Sequence, residues 1–171
     1  MNLYDLKFSG CKSCFACKVK GGKNNGDCVV NDDLKPVLQA IDSADAVILG
    51  SPIYFGDITA ESRAFFERFM FQVLNYEGPA FMDSKKKIGC IYTMNAPESY
   101  VADIAGKYEM LFGLFHQHVG YVAATETLQS DKYDRFYVGD AANEAYKKQR
   151  RETVWPETME QAYELGKKVA S

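Results

Sequence analysis

Three stretches of the chain carry residue types at a spacing that suits chemistry. Cys11, Cys14, Cys17 and Cys28 follow the pattern C-x2-C-x2-C-x10-C. Three thiols at such short intervals suit the corners of a cubane 4Fe–4S cluster better than tetrahedral zinc, which usually takes separated CxxC pairs. The alternative is a set of free thiols in a loop. The second stretch is Ser51-Pro52-Ile53-Tyr54-Phe55-Gly56. It combines a hydroxyl, main-chain amides and two adjacent aromatic rings, a suitable wall for a flat heteroaromatic ligand. The third is Thr93-Met94-Asn95-Ala96-Pro97, in which the Asn95 amide can both donate and accept. A plain turn with Pro97 at a helix start explains that stretch equally well. His116 and His118 alternate and lack an acidic or cysteine neighbour in sequence, so they read as surface or interface histidines rather than metal ligands. Cys90 lies inside an apolar run and reads as core.

The elements around these stretches alternate between strand and helix. Ala46-Val47-Ile48-Leu49 is almost wholly apolar, the pattern of a strand buried on both faces of a parallel sheet, and Gly50 and Pro52 are expected to end it. Ile58 to Val73 then carries Ala60, Phe65, Phe69 and Val73 at helical spacing. In open α/β sheets ligands sit outside the carboxyl ends of the strands, which places the 51–56 loop where chemistry is expected. Ile88 to Thr93 is the next strand and delivers the 93–97 loop. A helical stretch over 98–115 and a strand over Val119 to Ala124 follow. Ahead of them, Leu3 to Phe8 reads as a strand near a sheet edge. Lys18 to Asp27 reads as a glycine- and asparagine-rich loop with no packing of its own. Asn31-Asp32-Asp33 provides the N-cap and acidic first turn of a helix reaching Ser43, with Val37, Leu38 and Ile41 as its buried stripe. Asn75 to Ser84 is a long loop, and Gln129 to Gly139 is irregular. Asp140 caps a charged helix to about Arg151. Pro156 opens a last helix whose core face is Met159, Ala162, Tyr163, Gly166 and Val169. Such alternation predicts a three-layer α/β sandwich in a single domain over 1–171.

Composition narrows the partners. A net charge of −3 gives no support for binding nucleic acid or an acidic membrane, and no apolar run approaches a membrane span. Lys85-Lys86-Lys87 and the pairs Lys147-Lys148 and Arg150-Arg151 read as solvated faces. Met1 to Asp5 lacks the basic and apolar regions of a secretory leader. Five cysteines, an odd number, fit a reducing cytoplasm better than a disulfide framework.

SPIYFG, followed by a helix closing on Phe66-Glu67-Arg68, resembles the NADPH-dependent FMN reductase and iron–sulfur flavoprotein families. The resemblance extends to GCKSCFACK, to Asp32-Asp33 and to Leu165-Gly166-Lys167-Lys168. It implies a flavodoxin-like parallel sheet of order 2-1-3-4-5 and an FMN-dependent oxidoreductase. Hydride would pass from NAD(P)H to FMN and on to a small-molecule quinone, a free flavin or an iron–sulfur acceptor. By the same resemblance Ser51 to Gly56 wraps the isoalloxazine and ribityl parts of FMN. Thr93, Met94 and Asn95 form a second flavin loop, the four cysteines hold a 4Fe–4S cluster, and the protein is a homodimer or tetramer. Those families place a first strand and a GSPR-type phosphate loop ahead of the cysteines, and nothing ahead of Leu3 matches either. The sheet is therefore expected to lack its first strand and helix, with Leu3 to Phe8 shifting inward or dimerisation covering the edge. FMN binding in this form is expected to be weak or absent. The readings from other classes are a non-catalytic dimerising or binding module and an electron carrier built on the cysteines.

Overall fold

A computed structural model describes residues 1–24, 26–81 and 85–171. Its sheet comprises β1 (Ala46–Tyr54), β2 (Asp57–Ile58), β3 (Lys87–Thr93) and β4 (Gln117–Ala124), in the order β2-β1-β3-β4. β1, β3 and β4 run parallel, and β2 returns antiparallel on β1. Helices α1 (Lys35–Asp42), α2 (Ala60–Val73) and α3 (Val101–Gly113) cover one face, and α5 (Trp155–Ala170), preceded by α4 (Ala141–Thr153), covers the other. This is the expected three-layer, flavodoxin-like arrangement.

The larger core fills the helical side, where Leu49, Ile88, Cys90 and Tyr92 of the sheet meet Leu38, Phe66, Phe69, Tyr108 and Phe112. Phe66 meets Tyr108 and Phe112 edge-on, both at 5.3 Å, the geometry aromatic quadrupoles favour. On the opposite face Leu165 and Val169 of α5 lie on Val122, Ile91 and Ala46. A Cβ at Gly89 would stand 2.9 Å from the Val169 side chain, so this glycine sets how closely α5 approaches the sheet. The face of α5 differs from the expected one. Leu165 is buried, whereas Met159 and Tyr163 are 52% and 64% exposed. The apolar stripe is turned by about one residue because Gly89 receives α5 at Leu165 and Val169.

The N-terminal segment also departs from expectation. Leu3 to Phe8 forms no strand. A 3-10 turn at Leu3–Asp5 is capped by the Asn2 side chain, and Leu3, Leu6 and Phe8 bury themselves against the helical-side core instead. Before Ile53, β1 has no strand partner opposite β3 among the described residues, and Ile48 is 46% exposed. The segment is tied instead to α2. Buried Arg68 donates from Nη1 to both Asp32 carboxylate oxygens (2.8 and 2.6 Å) and to Ser9 O, and from Nη2 to Val30 O. Asp33 accepts from Lys7 N–H at 2.8 Å. Asp32 and Asp33 are thus engaged in tertiary bonds, and α1 starts at Lys35 with no side-chain cap, Pro36 lying in its first turn. Val37, Leu38 and Ile41 are buried as expected.

The Lys18 to Asp27 loop does pack. Lys18 Nζ donates to Gln72 O at 2.9 Å and sits over the rings of Phe71 and Phe81. Asn25, and the end of the Asn75 to Ser84 loop from Met82 on, lie outside the described residues. Asp140 caps α4 through Asn143 N–H at 2.8 Å.

Of the two histidines read as surface or interface residues, His116 belongs to the interior and His118 is half-buried. His116 is buried, its ring stacked on Phe69 at 4.8 Å, and His118 lies parallel to Phe112. Neither nitrogen of His116 has a hydrogen-bond partner among the described residues. Burial, aided by Lys86 and Lys85, pushes the His116 pKa down to about 4. The unfolded chain then takes up a proton near pH 6.5 that the folded chain refuses until about pH 4, so stability falls as the pH drops through that window. The loss amounts to ~3 kcal/mol for His116. His118, lowered in the same direction by burial, adds to it. His116→Phe is expected to reduce the slope of unfolding free energy between pH 6.5 and 4, measured by urea titration; an unchanged slope would contradict the assignment.

Candidate functional site

The parallel register places Ser51 beside Tyr92 and Pro52 beside Thr93, with Tyr92 and Thr93 beside Ala123 and Ala124 of β4. The loops leaving β1 and β3 therefore emerge side by side at the carboxyl edge of the sheet. β1 does not stop at Gly50 or Pro52. It runs on to Tyr54 because it acquires a new partner there, Ile53 pairing with Ile58 and Tyr54 with Asp57. Proline is tolerated in a strand whose other side needs no donor, and β1 has no strand partner on that side before Ile53 among the described residues. Phe55 and Gly56 form the two-residue turn at φ +52° and +80°, the doubly left-handed pattern that matches strand twist in a tight hairpin.

Each member of the 51–56 stretch has a distinct place. Ser51 is buried, and its hydroxyl donates to Pro52 O at 2.8 Å and accepts from Thr59 N–H at 3.0 Å. It is consumed in holding β1 to the start of α2. There Thr59 is the N-cap, accepting from Ser62 N–H and donating to Ser62 Oγ. Pro52 and Ile53 are half-buried, while Tyr54 is 59% exposed and Phe55 fully so. The aromatic pair is thus presented to solvent rather than packed on a neighbour. Asp57, at the foot of the turn, is braced from α3. Its carboxylate accepts from Lys107 Nζ at 2.5 Å and Tyr108 Oη at 2.6 Å, and from Ile58 N–H at 2.8 Å. Burial alone would raise the Asp57 pKa, but the bonds from Lys107 and Tyr108 outweigh it and hold the carboxyl below its usual range. Tyr108 reads from the sequence only as a member of an apolar stripe; no local signal pairs it with Asp57.

The second loop is joined to the end of β4. Met94, buried, donates its N–H to Ala124 O at 2.9 Å, and its carbonyl accepts from the N–H and hydroxyl of Thr127, both at 3.1 Å. Ala96 O accepts from Glu126 N–H. Thr93 is half-buried and Asn95 exposed, so within 93–95 the Asn95 amide is the group best placed to meet a ligand.

Cys11, Cys14, Cys17 and Cys28 line one small hollow with Arg68 and Phe71. All are free thiols: Cys17 buried, Cys11 and Cys28 half-buried, Cys14 exposed. Burial raises the Cys17 pKa, with Lys18 acting against it. Among the described residues no three His, Cys, Asp or Glu side chains gather closely enough to hold a metal ion. The 4Fe–4S cluster expected from the spacing therefore has no support in this arrangement. Cys90 is core as expected, its thiol pushed up to about 11 by burial.

Residues 3–106 match the NADPH-dependent FMN reductase family. The chain belongs to that family. Three relatives, each named an iron-sulfur flavoprotein, are similar over shorter stretches. The one from Archaeoglobus fulgidus is 39% identical over 59 residues, covering 34% of this chain and 26% of that protein. The Methanocaldococcus jannaschii relative is 34% identical over 68 residues, 40% of this chain and 33% of its own length. The Methanosarcina thermophila relative is 33% identical over 58 residues, 34% and 28% respectively. The matched stretch thus spans a third or less of each of these relatives. Membership in the FMN reductase family agrees with the parallel β1-β3-β4 order and makes this a flavodoxin-like flavoprotein fold.

Ser51→Ala removes the acceptor of a buried Thr59 N–H and is expected to cost ~1–3 kcal/mol of stability in urea denaturation. A change under ~0.5 kcal/mol would show that Ser51 does not hold β1 to α2.

Proposed function

We propose that the carboxyl edge of β1 and β3 binds the ring of FMN and that the protein is an FMN-dependent NAD(P)H oxidoreductase. The observation that carries this is the exposed Tyr54–Phe55 pair, held on a hairpin braced by Asp57 and set in register beside the 93–97 loop. An exposed aromatic pair on a stiff support suits the face of a flat heteroaromatic ring. The Asn95 amide and nearby main-chain groups suit its polar edge, because together they offer both donors and acceptors.

When bound, FMN supplies the chemistry, accepting hydride from a reduced nicotinamide and passing electrons to a quinone, a free flavin or an iron–sulfur acceptor. The chain's own residues bind and orient. Tyr54 and Phe55 provide the stacking surface, Asn95 and the adjacent backbone read the ring edge, and Asp57, Lys107 and Tyr108 keep the turn from shifting. No side chain of the site is assigned as acid or base, and the cysteine hollow carries no step. A homodimer or tetramer in the cytoplasm belongs to the same proposal. Among the described residues no helix is long and apolar enough to cross a membrane.

The test is a titration of FMN against the protein, followed by flavin fluorescence. Weak but saturable binding is expected, reduced about fivefold to tenfold further by each of Tyr54→Ala and Phe55→Ala, corresponding to ~1 kcal/mol per ring. No binding, or affinity unchanged when both rings are removed, would refute the proposed site.

A further inference from the structure

Beyond the flavin reading, the structure holds a second concave site at the end of β4, bordering the 93–97 loop. A cavity of about 610 Å³ opens between Thr125–Leu128, which leaves β4, and the junction of α4 with α5. That volume is in the range of small-molecule sites. Thr93, where the 93–97 loop leaves β3, is on its wall, but none of residues 51–56 lines it.

Its polar lining is loosely satisfied. Lys147 is only 3% exposed, yet its ammonium, with three protons to donate, makes one hydrogen bond among the described residues, to Thr127 O at 3.4 Å. Arg150 reaches Thr125 Oγ1 at 3.5 Å and Glu126 Oε2 at 3.5 Å, and its Nε is buried with no partner among the described residues. All three contacts stand at the outer limit of hydrogen bonding. Glu126, the carboxylate nearest these cations, is shared with the Tyr146 hydroxyl, which meets both its oxygens at 3.1 Å. Glu126 also adopts φ +52°, a conformation that non-glycine residues seldom take and that clusters at ligand sites. Buried donors on two cations without close acceptors are costly, and an incoming anion would relieve that cost. Arg151 adds a third positive charge at the rim, facing Asp131 at 3.9 Å. Glu98 and Glu157 also line the cavity, but both are exposed, so solvent screens them as it does not screen Lys147. Trp155, 41% exposed, supplies an aromatic wall.

We propose that this cavity binds a small aromatic anion, its carboxylate or phosphate held by Lys147 and Arg150 and its ring against Trp155. Trp155 is the one tryptophan of the chain, so its fluorescence reports the site directly. Phenyl phosphate, benzoate and inorganic phosphate are titrated in turn against the whole chain. A saturable Trp155 response to phenyl phosphate or benzoate supports the proposal, and the tighter of the two identifies the anionic group. Lys147→Met and Arg150→Gln are each expected to weaken it about tenfold or more, with far-UV circular dichroism unchanged. If Lys147→Met does not fold, Arg150→Gln decides. The response is expected to survive Tyr54→Ala with Phe55→Ala, which separates this site from the flavin site. The proposal is overturned by no saturable response, by one that folded Arg150→Gln leaves intact, by inorganic phosphate binding as tightly as phenyl phosphate, or by loss of the response with the two ring variants.

Discussion

The parallel ladder between β1 and β3 is the constraint on which the rest of the molecule depends. Because both strands run the same way and pair without a break from Ala46–Lys87 to Pro52–Thr93, their carboxyl ends arrive together. The register is locked by burial: a slip of one residue in β3 would turn Ile88, Cys90 and Tyr92 away from the aromatic core that seals them. The placing of the two candidate loops is thus set by apolar residues of the core. Ser51 and Asp57 then convert the strand ends into fixed supports, the first by bonding to Thr59 and the second by bonding to Lys107 and Tyr108.

Arg68 does a comparable job for the first third of the chain. Its buried guanidinium gathers Asp32, Val30 and Ser9 around α2, so the cysteine-bearing segment is anchored although it contributes no strand. Removing one member of such a buried pair typically costs ~3–5 kcal/mol, because the other charge is left stranded. Phe66-Glu67-Arg68 is a recognisable sequence feature, but that its arginine turns inward to serve Asp32 becomes visible only once α1 and α2 are packed.

Where burial has a simple period, the sequence was readable. The apolar runs at Ala46–Leu49 and Ile88–Thr93 and the helical spacing within α2 and α3 each declare their element and, through the strand-end rule, the sheet edge at which a site is sought. What escaped depends on partners distant in sequence. The extension of β1 to Tyr54 needs β2 to exist, and Phe55-Gly56 is a weaker hairpin signal than Asn-Gly. Leu3, Leu6 and Phe8 show the apolar content of a strand but satisfy it against the helical-side core. His116, between Phe115 and Gln117, gives no sign of burial; only the stacking of Phe69 reveals it. The Ser51 hydroxyl reads as a ligand contact until Thr59 claims it.

The central claim is that a flat redox ring lies against Tyr54 and Phe55 beside the 93–97 loop, held mainly by main-chain and uncharged groups. Amide chemical-shift mapping by NMR during an FMN titration tests it most directly. The account predicts that the largest shifts fall on Ile53 to Asp57 and Thr93 to Ala96. Shifts concentrated elsewhere, around Thr125 to Leu128 and Trp155 or around the cysteines, would contradict it.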